Sequence, residues 1–274
     1  MKAIKLILLG VSLFSILPLG AQVFDKPRSL AEADSLDRVQ YRVLYQLDFI
    51  SDPTDREYVT QDQVRLDIGT QISKVYSLKH YQADSAATPL IETGQFPRKI
   101  VTDVVPPMIL YRGYPKTQDI TTDYRLPAGA PVMSYVEPKP TLQWQVKPEE
   151  REILGHSCQR AEVSFGGRQW IAWFTSEIPL SEGPYKFGGL PGLILEVADS
   201  EGDYRYTCIG IANLSAGENI VRWKWNQRPT TRKELEKIIV QLYANPEQAI
   251  KALGGRMGFK GDPMLNLPYN PIEK

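Results

Sequence analysis

The stretch CQRAEVSFGGRQWIAWFT, residues 158–175, reads as one β-hairpin. Two runs of β-branched, aromatic and small residues flank Gly166-Gly167. A two-residue loop that matches strand twist needs positive φ at both centres, which glycine takes without strain. That turn fixes a register: Phe165 faces Arg168, Val163 faces Trp170, Ala161 faces Ala172 and Gln159 faces Phe174, giving one mainly apolar side. The other side carries Cys158, Arg160, Glu162, Ser164, Gln169, Ile171, Trp173 and Thr175, a mixture that suits a surface or the wall of an open cavity.

Strand signals continue outward from the hairpin. Residues 38–49, 57–67 and 71–78 alternate partially and are bounded by turn formers, and 193–199 (LILEVAD) and 204–213 (YRYTCIGIAN) read as two more strands. Frequent Pro, Asp and Gly between 83 and 131 predict short strands with long connections, among them 108–111 (MILY). Only the C-terminal part has a helical pattern. Thr231 and Glu234 have capping-box spacing, Leu235, Ile238, Ile239 and Leu242 share a face, Pro246 ends that helix, and a second short one runs to Gly254. The reading is a mainly β chain: a single antiparallel, curved, half-barrel-like sheet with a C-terminal helical segment, forming one domain over 22–274.

GPYKFGGLPGLILEV, residues 183–197, packs four glycines and two prolines before an apolar run. Phosphate-cradling glycines are followed by a helix N-terminus, whereas here a strand follows, so the segment reads as a turn-rich connection. Pro191-Gly192 has the pair a type II turn needs, with positive φ at Gly192. Lys186, the only cation of the loop, reads as a surface residue.

Residues 1–21 combine Lys2 and Lys5 with an apolar stretch and the small pair Gly20-Ala21, the pattern of a cleaved secretory leader ending before Gln22. With no cysteine at the cut, a lipid-anchored N-terminus is not expected. The expectation is an exported protein, periplasmic, associated with the outer membrane or secreted. Removing the leader leaves 30 basic against 32 acidic residues, a formal net charge of −2, and no second stretch of membrane length. Nucleic acid is not an expected partner, because the densest basic stretch, Arg222, Lys224 and Arg228, alternates with Trp223 and Trp225 as a strand face does.

Signals of chemistry are sparse. The chain has two histidines, His80 and His156, and no pattern of a zinc protease, redox CxxC, hydrolase elbow or nucleotide loop, so no cofactor is expected. His156 and Cys158 share a strand face and make His156 a weak metal candidate lacking further ligands nearby. Asp199, Glu201 and Asp203 around Gly202 read as a polar hairpin turn, without the ligand series of a calcium loop. Arg160, Glu162, Trp173 and Lys186 are the candidate binding residues. Two cysteines in an exported chain most simply pair, so a Cys158–Cys208 disulfide is expected, closing about 50 residues and contributing roughly 3–4 kcal/mol. Two buried free thiols are the alternative.

The order ILGHSCQRA (153–161), GRQWIAWFTSEIPLSEGPYKFGGLPGLILEVAD (167–199) and NPIE (270–273), with RLDIGTQISKVYS (65–77) and WQV (144–146) upstream, resembles the GLPGLI family of exported Gram-negative envelope proteins. That resemblance implies an envelope location and carries no established activity, so it transfers no catalytic or ligand residue. The hairpin layout is also similar to lipoprotein-carrier half-barrels. Three functions fit: a non-enzymatic protein binding an apolar ligand or an envelope partner, an envelope hydrolase or metal-dependent enzyme with a site assembled from separate strands, and a structural component. A deep apolar pocket favours the first.

Overall fold

The computed structural model describes residues 26–95, 107–127, 129–214, 217–254 and 269–274; the expected leader over 1–21 lies outside them. In chain order the elements begin with β1 (Ala33–Arg38), β2 (Tyr41–Phe49), β3 (Thr60–Ile68), β4 (Ser73–Ser77) and α1 (Leu78–Glu92). Next come β5 (Met108–Arg112), β6 (Asp119–Arg125), β7 (Val132–Pro138), β8 (Gln145–Ile153), β9 (His156–Phe165) and β10 (Arg168–Thr175). The rest are β11 (Leu193–Asp199), β12 (Tyr204–Asn213), β13 (Asn219–Trp223), β14 (Gln227–Pro229), α2 (Arg232–Ala244) and α3 (Pro246–Ala252).

Twelve strands form one open sheet in the order β14-β7-β6-β5-β4-β3-β2-β12-β11-β10-β9-β8, antiparallel except where β14 runs along β7. The remaining strands, β1 and β13, pair with each other. The chain is therefore mainly β, but the expected single sheet is corrected to two. The small sheet covers the outer face around β4 to β6, where Trp223 packs with Tyr76, Ile109 and Tyr111. Lys74 is buried there, its Nζ 3.3 Å from the Trp223 ring centroid and donating to the Val221 carbonyl.

The β9–β10 hairpin has the register that its sequence predicts, Phe165 with Arg168 through Gln159 with Phe174, around Gly166 and Gly167 at φ 58° and 74°. Strands β11 and β12 also fall where the pattern puts them. Along β12 the alternation is plain: Tyr204, Tyr206 and Cys208 are buried, Arg205 and Ile209 exposed. Strand β8 is an edge whose charged side chains and Pro148 oppose pairing with another chain.

The sheet curls, and one residue proves it. Strands β5 and β10 stand six steps apart, about 29 Å in a flat sheet. Yet the Phe187 carbonyl accepts from Arg112 Nη1 of β5 at 2.7 Å while the Phe187 ring lies 4.6 Å from that of Trp170 on β10.

Three expectations are corrected. Helix α1 occupies a region read as strands and connections; it buries His80, Asp84 and Ala87, so its inward face is polar and leaves little apolar periodicity. Asp84 is held there by the buried Arg125 guanidinium, Nη2 to Oδ1 at 3.0 Å. Cys158 and Cys208 are free and buried, on β9 and β12 with β10 and β11 between them, and each thiol donates to a backbone carbonyl two residues along its own strand. Their Cα atoms cannot approach to the 7 Å a disulfide tolerates across that many strands. Gly192, finally, does not take positive φ. A Cβ there would lie 2.0 Å from the Thr175 carbonyl oxygen, so glycine is required by close approach of two backbones.

Candidate functional site

The concave side of the curled sheet is filled in one half and hollow in the other. The filling is the 176–192 loop between β10 and β11, which turns inward and buries Phe187 and Leu190 in the main core. Phe187 meets the rings of Trp144, Phe165, Trp170 and Tyr185. Arg112 secures the loop with bonds to Ser73 Oγ and the Phe187 carbonyl and an ion pair with Glu182. Trp144 Nε1 donates to the Gly188 carbonyl at 2.8 Å.

The hollow half is a cavity of about 400 Å³. Its walls are strand side chains: Phe49 of β2, Val64 of β3, Val75 of β4, Leu110 of β5, Thr122 and Tyr124 of β6, Tyr135 of β7, and Tyr204 and Tyr206 of β12. Its roof is α2, held by a capping box at Thr231 and Glu234, which packs Leu235, Ile239 and Leu242 toward Tyr124, Met133 and Tyr135. Leu235, Ile239, Val240 and Tyr243 also line the hollow. The lining is largely apolar and aromatic, and burial pushes every titratable phenol among Tyr124, Tyr204, Tyr206, Tyr243 and Tyr269 up, so all stay protonated at neutral pH.

One end of the cavity is polar. Lys186 Nζ lies 2.6 Å from Glu137 Oε1 and 2.6 Å from Glu273 Oε1, and Arg232 Nη1 lies 2.7 Å from Glu273 Oε2. Burial opposes the charge of Lys186, but Glu273, Tyr135 and Glu137 outweigh it and raise its pKa. Burial likewise opposes the Glu273 charge, and Lys186 with its neighbours holds that carboxyl below its ordinary value. The neighbouring Tyr185 adopts φ 52°, a strained conformation for an aromatic residue, with its hydroxyl donated to Glu273.

Residues 270–274 bind this region together. Asn270 Nδ2 donates to the Ile50 carbonyl, Tyr204 donates to the Asn270 carbonyl, and the Lys274 N–H donates to the Gly166 carbonyl at the hairpin turn. Arg168 donates Nη2 to Asn270 Oδ1 and to the Pro271 carbonyl. Its Nη1 lies 2.6 Å from Asp199, 2.8 Å from Asp203 and 3.6 Å from Glu201. These three carboxylates are the one group among the described residues with metal-like spacing, and the Arg168 guanidinium already stands among them as their counter-charge. The hairpin turn, the glycine-rich loop and the NPIE segment thus meet in space although they are far apart in sequence.

Of the binding candidates, Lys186 lines the cavity, and the expectation that it is a surface residue is corrected: it is 3% exposed. Arg160, Glu162 and Trp173 share a face of β9 and β10 that does not line the cavity; Arg160 pairs with Glu149 and Glu162, and Arg151 stacks on Trp173 at 4.2 Å. His156 Nδ1 lies 2.6 Å from Glu177, and no third ligand group joins them among the described residues. Burial pushes both thiols up to about 11, which keeps them inert at neutral pH. Sequence reading missed the tyrosines, because each reads as an ordinary strand or helix aromatic until the curl brings them together.

The model of a family of proteins of unknown function, Porph_ging, matches residues 165–196. The match covers the hairpin turn, β10, the inward loop and the start of β11, which is the central one of the stretches that carry the GLPGLI resemblance. No curated protein matches the chain. Two crystal structures of PNGF-II, in different space groups, align at 13% identity and TM-score 0.48, over 73% of this chain and 32% of theirs. This chain therefore spans about a third of the length of those structures. Among the described residues no helix is long and apolar enough to cross a membrane.

Proposed function

We propose that the protein is an exported, non-enzymatic envelope protein that holds a small, largely apolar molecule on the concave side of its sheet. The observation that carries the reading is the cavity of about 400 Å³ between the strands and α2. Its size lies within the range of small-molecule sites, and its mostly apolar walls with a few polar groups at one end have the composition of such sites. The inward loop, Arg112 and residues 270–274 support it by fixing the cavity's surroundings before any ligand arrives, which lowers the entropy lost on binding. The leader-like N-terminus and the resemblance to an envelope family support a periplasmic, outer-membrane-associated or secreted location.

Native mass spectrometry of the protein isolated from its own envelope tests this. One small organic molecule per chain, released on denaturation, is the expected result. A mass equal to the bare chain, together with exclusion of neutral apolar probes, contradicts it.

A further inference from the structure

We infer that the molecule held in this cavity is uncharged, ring-bearing and oxygenated, carrying hydroxyl, ether or carbonyl groups, and is neither a plain hydrocarbon nor a fatty acid. The inference rests on reading the cavity as a ligand site. Four of its tyrosines, Tyr124, Tyr206, Tyr243 and Tyr269, have hydroxyls with no hydrogen-bond partner among the described residues. Tyr124 and Tyr206 are 8% and 3% exposed. A phenol that loses its water without gaining a partner is unfavourable, and tyrosine hydroxyls in protein interiors normally find one. Their neighbours obey the rule: Tyr185 donates to Glu273 and Tyr204 to the Asn270 carbonyl. These four line the hollow, so a molecule that displaces water from it has to supply their partners; the unpartnered Tyr111 hydroxyl lies outside it.

Three of the four, Tyr124, Tyr243 and Tyr269, pack in one cluster. Beyond the effect of burial, ionisation of Tyr243, Tyr269, Tyr204 or Tyr135 would each oppose ionisation of Tyr124. A ligand oxygen near this group therefore meets several donors at once. The rings supply flat surfaces suited to a ring system, with Tyr243 and Tyr269 centred 4.6 Å apart and Phe49 stacked on Tyr204 at 5.7 Å.

Charge is disfavoured by the polar end. Lys186 is matched by Glu137 and Glu273, and Arg232 by Glu137, Glu236 and Glu273. A ligand carboxylate would have to displace one of these carboxylates, leaving a buried charge unpaired.

Equilibrium dialysis of the full folded protein against three probes tests the inference: 17β-estradiol, which carries oxygens at both ends of a ring system; estrane, the same rings without oxygen; and palmitate. Estradiol should bind at least tenfold tighter than either of the others. In the double variant Tyr124→Phe and Tyr206→Phe, which keeps both rings, that preference should fall below threefold with estrane affinity unchanged. The variant without ligand should melt close to the parent, because both rings and their packing are kept. Equal or tighter binding of estrane or palmitate, or a preference that survives in the double variant, overturns the inference and leaves the ligand-site reading standing. Binding of none of the three overturns both.

Discussion

The Lys186 ammonium and the Glu273 carboxylate, 87 residues apart in the chain, lie 2.6 Å apart in a buried site that also holds Glu137. This pair ties the inward loop to the last residues of the chain at the polar end of the cavity. Lys186→Met removes the buried cation between Glu137 and Glu273 and leaves them only the half-exposed Arg232 guanidinium, and should destabilise the fold by about 3–5 kcal/mol in urea unfolding. Pairing it with Glu273→Gln should recover part of the loss. A change within about 0.5 kcal/mol, as at an ordinary surface lysine, contradicts the assignment.

Two glycines of the same loop separate two causes of glycine. Gly189 takes φ 88° with no atom within 4 Å of an added Cβ, so Gly189→Ala should cost about 1–2 kcal/mol from backbone strain alone. At Gly192 the added Cβ would lie 2.0 Å from the Thr175 oxygen. Gly192→Ala must push β10 and β11 apart where they start to pair and should cost more, roughly 3 kcal/mol or above. Equal losses in chemical denaturation would show that close approach is not what requires Gly192.

What the sequence made legible is what local chemistry determines. Gly166-Gly167 between alternating runs fixes the β9–β10 register, and Thr231 with Glu234 marks the start of α2. Helix α1 was not legible because its buried side chains include His80 and Asp84, and Asp84 is satisfied by Arg125, 41 residues away. The burial of Lys186 was hidden for the same reason: its partners come from β7 and the C-terminal segment. The cavity was hidden because no local pattern says that Tyr124 and Tyr206, on strands five steps apart in the sheet, line one hollow.

The cysteines should behave as two thiols. Denatured without reductant and treated with iodoacetamide, the protein should gain two carbamidomethyl groups, and reductant should leave its melting temperature unchanged. A linked Cys158–Cys208 peptide pair in an unreduced digest would contradict the arrangement.

Asp62 on β3 is 1% exposed, and burial raises its pKa to about 6 from an ordinary 3.8, against the pull of the Ser77 hydroxyl and the Gln63 N–H. Between those values the folded protein holds a proton that the unfolded chain has released, so this group's contribution to stability falls as pH rises from about 4 to about 6 and is flat above. Asp62→Asn should remove that slope and stabilise the protein at pH 7 by up to roughly 3 kcal/mol, read from urea midpoints at pH 4.5 and 7. A variant with the slope intact places the titration elsewhere.

The most direct test of the account is a fluorescence titration of the folded protein with N-phenyl-1-naphthylamine, a neutral aromatic probe, beside the variant Met108→Trp. Met108 lines the cavity and is only partly buried, so a larger ring there can occupy the hollow with little disturbance of the core. Saturable one-to-one binding to the parent, lost in a variant that unfolds at the same urea concentration, is the predicted result. No saturable binding, or equal binding by parent and variant, would contradict the claim that the concave cavity is where this protein holds its ligand.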